Sequence, residues 1–193
     1  MTDKSLNDPM TTNATFAQAQ TDMRSGYADG SLGIVVSGFM WLIAAAVAYL
    51  YTAKQAVWAL LIGGMLIHPV SLLLYKVIGL RCSHTDGNPL GKLALEGTIW
   101  MIMCLPVAYG LSLQDTAWFF QAMLLIIGGR YLTFTSIYGI RLYWVLGGVL
   151  GIAAYLLFFN RAPSFGTLLT GALVEISFGL FMFVSFRKNN KKA

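Results

Sequence analysis

Apolar residues in this chain fall into six long runs separated by short polar connections. The runs cover residues 33–53, 56–79, 91–113, 116–138, 141–159 and 163–186. Each approaches or exceeds the roughly 20 apolar residues that a helix needs to cross a bilayer. Stretches such as "SGFMWLIAAAVAYLY" (37–51) are apolar on every face. That suits a helix surrounded by lipid and other helices rather than one half in water. The alternating pattern of a membrane-spanning barrel is missing, and helices are the remaining way to pair every backbone group in hydrocarbon. The pattern therefore predicts an all-α fold, a six-helix transmembrane bundle. The connections are short, so sequential helices are expected to be antiparallel neighbours.

Ahead of the first run lies a polar segment. Its first dozen residues are expected to be disordered. From about Thr12 the residues Phe16, Ala19, Met23 and Tyr27 recur at spacings of 3, 4 and 4, one apolar edge of a short amphipathic N-terminal helix. Such a helix either lies in the membrane interface or packs on loops. The expected division is a cytoplasmic N-terminal segment at 1–30, a membrane domain at 31–186 and a basic cytoplasmic tail at 187–193. The polar start carries no apolar h-region, so no secretory signal is expected.

Composition agrees with the pattern. The chain is 57% hydrophobic and only 11% charged, against about 25% charged in a soluble domain. Cys82 and Cys104 form no disulfide framework by spacing. The net charge of +5 does not point to nucleic acid, because the basic residues flank apolar spans and no basic patch is interleaved with aromatic side chains for base stacking. Their distribution instead sets an orientation. Lys4, Arg24, Lys76, Arg81, Lys92, Arg141, Arg187, Lys188, Lys191 and Lys192 fall on the side of the termini, and only Lys54 and Arg161 on the other. Both termini are thus expected in the cytoplasm. Trp58, Trp118, Tyr49, Tyr51 and Phe159 are placed as interface anchors at the outer ends, and Tyr75, Tyr143 and Trp144 at the inner ones.

Chemistry inside the spans rests on His68, Glu96, Arg130 and Glu175. At 1.5 Å rise per residue, His68 and Glu175 fall near the midplane, Arg130 roughly 5 Å and Glu96 roughly 9 Å toward the cytoplasm. A charge at the bilayer centre costs about 2.5–3.5 kcal/mol on insertion scales, so such residues find partners. An Arg130–Glu175 pair is expected, with Glu96 as the second carboxylate and Tyr131 beside them. The cluster is either an ion pair that fixes helix register or a polar cavity that binds an anion or relays protons. His68 precedes Pro69, which cannot donate to the carbonyl of Met65, so a kink is expected there and a second at Pro106. Gly147 and Gly151 form a GxxxG spacing, expected to pack helices within the bundle, with a homodimer as the alternative. Cys82, His84 and Asp86 alternate but supply too few ligands for a metal. No cofactor motif and no HExxH, GxSxG or P-loop occurs.

Three stretches, "GGMLIHP" (63–69), "GNPLGKLALEGT" (87–98) and "LLIIGGRYLTF…IYGIRLYW" (124–144), resemble a family of small bacterial multi-pass membrane proteins of unknown function. The resemblance covers about residues 20–185. It implies the bundle and a bacterial plasma membrane, and it carries over no catalytic or binding residue. The functional expectation is a small transporter or permease-like protein acting on a small molecule or an ion, with membrane lipids as its surroundings. The alternative is a non-catalytic scaffold or sensor whose ion pair is structural. An enzyme is disfavoured, since no nucleophile and base stand at a telling spacing.

Overall fold

The computed structural model of the protein describes residues 9–190. The described residues form seven helices: α1 (Pro9–Gly26), α2 (Ser31–Leu50), α3 (Ala53–Ile78), α4 (Pro89–Ser112), α5 (Thr116–Tyr138), α6 (Leu142–Phe159) and α7 (Ser164–Asn190), with a 3-10 turn at Ala28–Gly30. Each of α2 to α7 is long and apolar enough to cross a membrane. This is an all-α, six-helix bundle with a short N-terminal helix, the make-up of a multi-pass integral membrane protein. Residues 1–8, expected to be disordered, and 191–193 of the basic tail lie outside the described residues. α1 starts at Pro9, before the expected Thr12. Proline suits a first helical position, where its missing N–H is not needed and its φ is already set.

Local chemistry fixes the helix ends. Thr52 caps α3 by accepting from the Gln55 N–H (3.2 Å). Asn88 caps α4 through Leu90 (3.0 Å), with Pro89 next. Asp115 caps α5 through Ala117 (2.9 Å). Each side-chain oxygen satisfies a donor that the first turn leaves free. Gly79 and Gly139 close α3 and α5 in the left-handed conformation, at φ 73° and 66°. α3 and α4 both continue through their internal prolines, Pro69 and Pro106.

Sequential helices pack as neighbours except at one step, from α3 to α4. α2 lies mainly against α7 and α3, and α5 against α6 and α4. α3 and α4 hardly touch, apart from Trp58 and Tyr109 at 6.0 Å between ring centres. The expectation of sequential neighbours fails here because residues 79–88 form a connection long enough to step across α5. Small residues set the two closest seams. A methyl group on Gly38 of α2 would sit 2.9 Å from the Ile176 backbone nitrogen of α7, and one on Gly147 of α6 would sit 2.6 Å from the Gly128 carbonyl oxygen of α5. Backbones approach this closely only without a Cβ, which is how helices gain van der Waals contact in lipid.

The two ends of the bundle differ. Ala28, Leu32, Tyr75 and Phe186 form one buried cluster, so the starts of α2 and the ends of α3 and α7 share what is here called the terminal end. The opposite, far end holds the α2–α3, α4–α5 and α6–α7 connections. Tyr75 and Tyr143, expected as interface anchors, are turned inward, at 3% and 0% exposed. Their hydroxyls find protein partners instead, as buried tyrosines require.

Candidate functional site

Among the described residues Glu175 is the one acidic residue sealed in the transmembrane core, with no exposed surface. It sits on α7 opposite Gly38, whose missing side chain lets the two helices meet around the carboxyl. Its Oε1 accepts from the Tyr131 hydroxyl at 3.0 Å. Ser37 of α2 stands beside both groups. Oε2 has no hydrogen bond of ordinary geometry. A carboxyl taken from water with half its acceptors unused is costly, and native cores rarely leave one without a reason.

Arg130 does not form the expected ion pair with Glu175. Among the described residues the one ion pair is Arg24–Asp29, at 3.0 Å. The reason is helical geometry: consecutive residues project about 100° apart. Tyr131 points across to α7, so Arg130 points to the α4 side. There its Nη2 donates to Thr98 Oγ1 at 3.0 Å and its Nη1 approaches Met101 Sδ at 3.6 Å. The guanidinium carbon lies 5.3 Å from the centre of the Phe134 ring. Nε is buried without a partner. The other two expected members stay apart from this group. Glu96 and His68 are exposed on the outward sides of α4 and α3. Glu96 has Lys92 one turn nearer the helix end, roughly 10 Å along the axis from α4's start. A long side chain there reaches toward the interface.

Of the expected cluster the structure brings together one acid, Glu175, and one tyrosine, Tyr131, with Arg130 on another face of α5. The sequence did not indicate Ser37, Thr98 or Met101, which are common residue types in apolar spans. Gly147 packs on Gly128, and Gly151 contributes its backbone nitrogen 3.3 Å from the point where a Gly128 Cβ would lie.

Between Glu175 and the terminal end lies a stack of aromatic rings. Tyr131, Phe134, Tyr138 and Tyr143 meet with centroid separations of 5.4–6.1 Å. Tyr143 anchors this stopper by donating to the Asp29 carbonyl at 2.7 Å. Tyr75 donates likewise to the Tyr27 carbonyl. Both acceptors belong to the turn that joins α1 to α2. That turn holds three successive residues at positive φ: Ala28 at 46°, Asp29 at 58° and Gly30 at 76°. For alanine this is an unfavourable region, and it persists where the surroundings over-determine it. Here the two tyrosines, Ser31 Oγ donating to the Ala28 carbonyl (2.7 Å) and the Arg24–Asp29 pair do so.

α1 straps the terminal end. Met23 is buried in the main core, Ala19 and Tyr27 are partly buried, and Phe16 is exposed. The apolar edge thus packs on the ends of α4 and α5 and on the 79–88 connection. Asp22 accepts from the Thr85 N–H (2.8 Å), Thr85 Oγ1 (3.0 Å) and Asn88 Nδ2 (2.9 Å). The Asn88 amide and then the Thr85 N–H hold its carboxyl below the usual carboxylate range. Tyr27 shares a 2.8 Å hydrogen bond with His84 Nδ1, and burial pushes its phenol up. Gln20 reaches the Ser136 carbonyl at 2.8 Å.

Comparison with known proteins adds a family and nothing finer. The pattern of DUF7010, described as a family of unknown function, matches residues 16–185. No curated protein and no solved structure matches the chain.

Proposed function

The chain belongs to this family of unknown function, and from that premise we propose that it is a small transporter in which the Glu175 carboxyl carries a proton during the passage of a polar solute. The observation that carries the reading is Glu175 itself: fully buried, bonded by Tyr131 on one oxygen and without a hydrogen bond on the other, with no cation at ion-pair distance. A group kept for architecture alone would be expected to have both oxygens satisfied. Intramembrane acids that lack a fixed partner are the usual elements of proton relays. The aromatic stopper and the α1 strap supply the closed gate that such a cycle needs at one end. Arg130, held by Thr98 and not by an acid, is the fixed positive charge for an anionic part of the solute. The excess of basic residues at the terminal end supports an orientation with both termini in the cytoplasm, and the membrane of this reading is a bacterial plasma membrane.

The test is solute-dependent proton movement. Purified protein in liposomes loaded with a pH-sensitive dye is given a panel of polar solutes under an imposed proton gradient. The wild type is expected to dissipate the gradient with at least one solute, and Glu175→Gln to abolish this while remaining folded. Solute flux that is indifferent to Glu175→Gln overturns the proposal.

A second reading, a scaffold or sensor with a structural polar core, is favoured by one observation. α1 is docked through side-chain hydrogen bonds rather than left bare, so its release would expose a new surface at the terminal end. Deleting residues 1–26 would then abolish activity in cells while sparing the bundle, and unchanged activity counts against it.

A further inference from the structure

At the far end, away from Glu175 and Arg130, the helix ends surround a cavity of about 960 Å³. That lies within the 300–1,000 Å³ range of small-molecule sites. The most buried polar side chain that lines it is Gln121 of α5, only 5% exposed. Gln121 Nε2 donates to the Leu157 carbonyl at 3.3 Å. A carbonyl can only accept, so this bond fixes the amide orientation and leaves Oε1 as an acceptor. Oε1 is buried, lacks any partner, and belongs to a side chain that lines the cavity. A donor from a bound molecule would satisfy it.

The rest of the wall carries opposite charges that do not cancel. Asp115 and Arg161 both line the cavity, yet they form no ion pair. One oxygen of Asp115 is used to cap α5, and the other is not. Arg161 is held in the loop before α7 at a positive φ of 49°, and its guanidinium makes no hydrogen bond to the protein among the described residues. The first turn of α7 begins beside it at Ser164, and its free N–H groups and dipole favour an anion. The same cavity has an apolar part of its wall, in which Trp118 and Phe158 meet at 5.8 Å.

We infer that this cavity is a binding site for a small amphipathic zwitterion, the chemistry of a free apolar amino acid or dipeptide. Its ammonium group meets Gln121 Oε1 and Asp115, its carboxylate meets Arg161 and the start of α7, and its apolar body rests on Trp118 and Phe158. Binding here requires no passage through the bundle, so the inference stands apart from any role of Glu175 in transport.

The experiment is titration calorimetry on the full-length protein in detergent, with L-phenylalanine, L-leucine and the dipeptide Leu-Leu as probes. N-acetyl-leucine and leucine amide, each lacking one charge, serve as controls. At least one zwitterion is expected to bind saturably, and both controls at least tenfold more weakly. Gln121→Leu should weaken binding at least tenfold. Arg161→Gln, at the exposed rim where folding is spared, should weaken the zwitterion tenfold but leave leucine amide unchanged. The inference is overturned if no zwitterion binds, if the controls bind as well as the zwitterions, or if Arg161→Gln leaves zwitterion affinity intact.

Discussion

Replacing Tyr131 by phenylalanine isolates the contact on which the Glu175 site is built. The ring stays in the aromatic stack and only the hydroxyl leaves. The 3.0 Å hydrogen bond to Oε1 is the carboxyl's one bond of ordinary geometry, so the variant leaves a fully buried carboxyl with only the looser approach of Ser37. The cost of orphaning a buried group is about 1–3 kcal/mol, and hydrogen bonds between transmembrane helices average about 0.6 kcal/mol in mutant cycles. A loss in the upper part of that span is expected, because Glu175 has no exposed surface through which water could compensate. At about 2–4 °C per kcal/mol for a chain of this size, Tm should fall by several degrees. In the Glu175→Leu background the same change removes a hydroxyl that has already lost its carboxyl acceptor and keeps only Ser37 nearby, so its cost should be much smaller. Thermal unfolding of the four proteins in one detergent gives the coupling directly. An equal cost for Tyr131→Phe in both backgrounds would refute the reasoning.

Other parts of the fold make separate predictions. Gly147→Leu should destabilise by about 1–3 kcal/mol through overpacking, since its Cβ would meet the Gly128 carbonyl at 2.6 Å, whereas Gly151→Ala, whose nearest neighbour would be 4.0 Å away, should stay within about 0.5 kcal/mol; Tm values in detergent decide. Tyr143→Phe strands the buried Asp29 carbonyl, so amide exchange across residues 27–31 should speed up well before the bundle melts, and unchanged protection would show that the turn holds without it. Asp22 has a folded pKa depressed below its ordinary 3.8. Its contribution to α1 docking is therefore present above that value and lost as pH falls through the lower folded value. Exchange protection of α1 should drop at low pH in the wild type, and Asp22→Ala should lack protection at neutral pH too; α1 exchange that is flat in pH contradicts this.

What could be read from the sequence follows from which physical signals survive in an apolar alphabet. The six spans were legible because the length and apolarity of a bilayer-crossing helix are imposed by the solvent. The caps at Thr52, Asn88 and Asp115 are local chemistry that the apolar runs do not display and that the structure supplies. Facing was not legible. A helix apolar all round has no periodic stripe to show which side meets protein, so His68 and Glu96 gave no sign that they point outward. Tyr75 and Tyr143 looked like interface anchors because their height was readable and their direction was not. Arg130 and Glu175 stand at compatible depths, which made a pair plausible, but a single residue step on α5 gives Glu175 to Tyr131 instead. The ligand-like features at the far end were hidden for another reason. Asp115 and Gln121 belong to the start of α5 and Arg161 to the α6–α7 connection, and only helix packing brings them around one cavity.

The measurement that tests the central claim most directly is infrared difference spectroscopy of the protein in liposomes as a proton gradient is applied and then collapsed in the presence of a solute that supports flux. The account predicts a carboxylic C=O band that appears and disappears with the gradient, shifts in Tyr131→Phe as its hydrogen bond is lost, and is absent in Glu175→Gln. A carboxyl band that stays fixed through the cycle, or one that survives in Glu175→Gln, would contradict it and leave Glu175 as architecture.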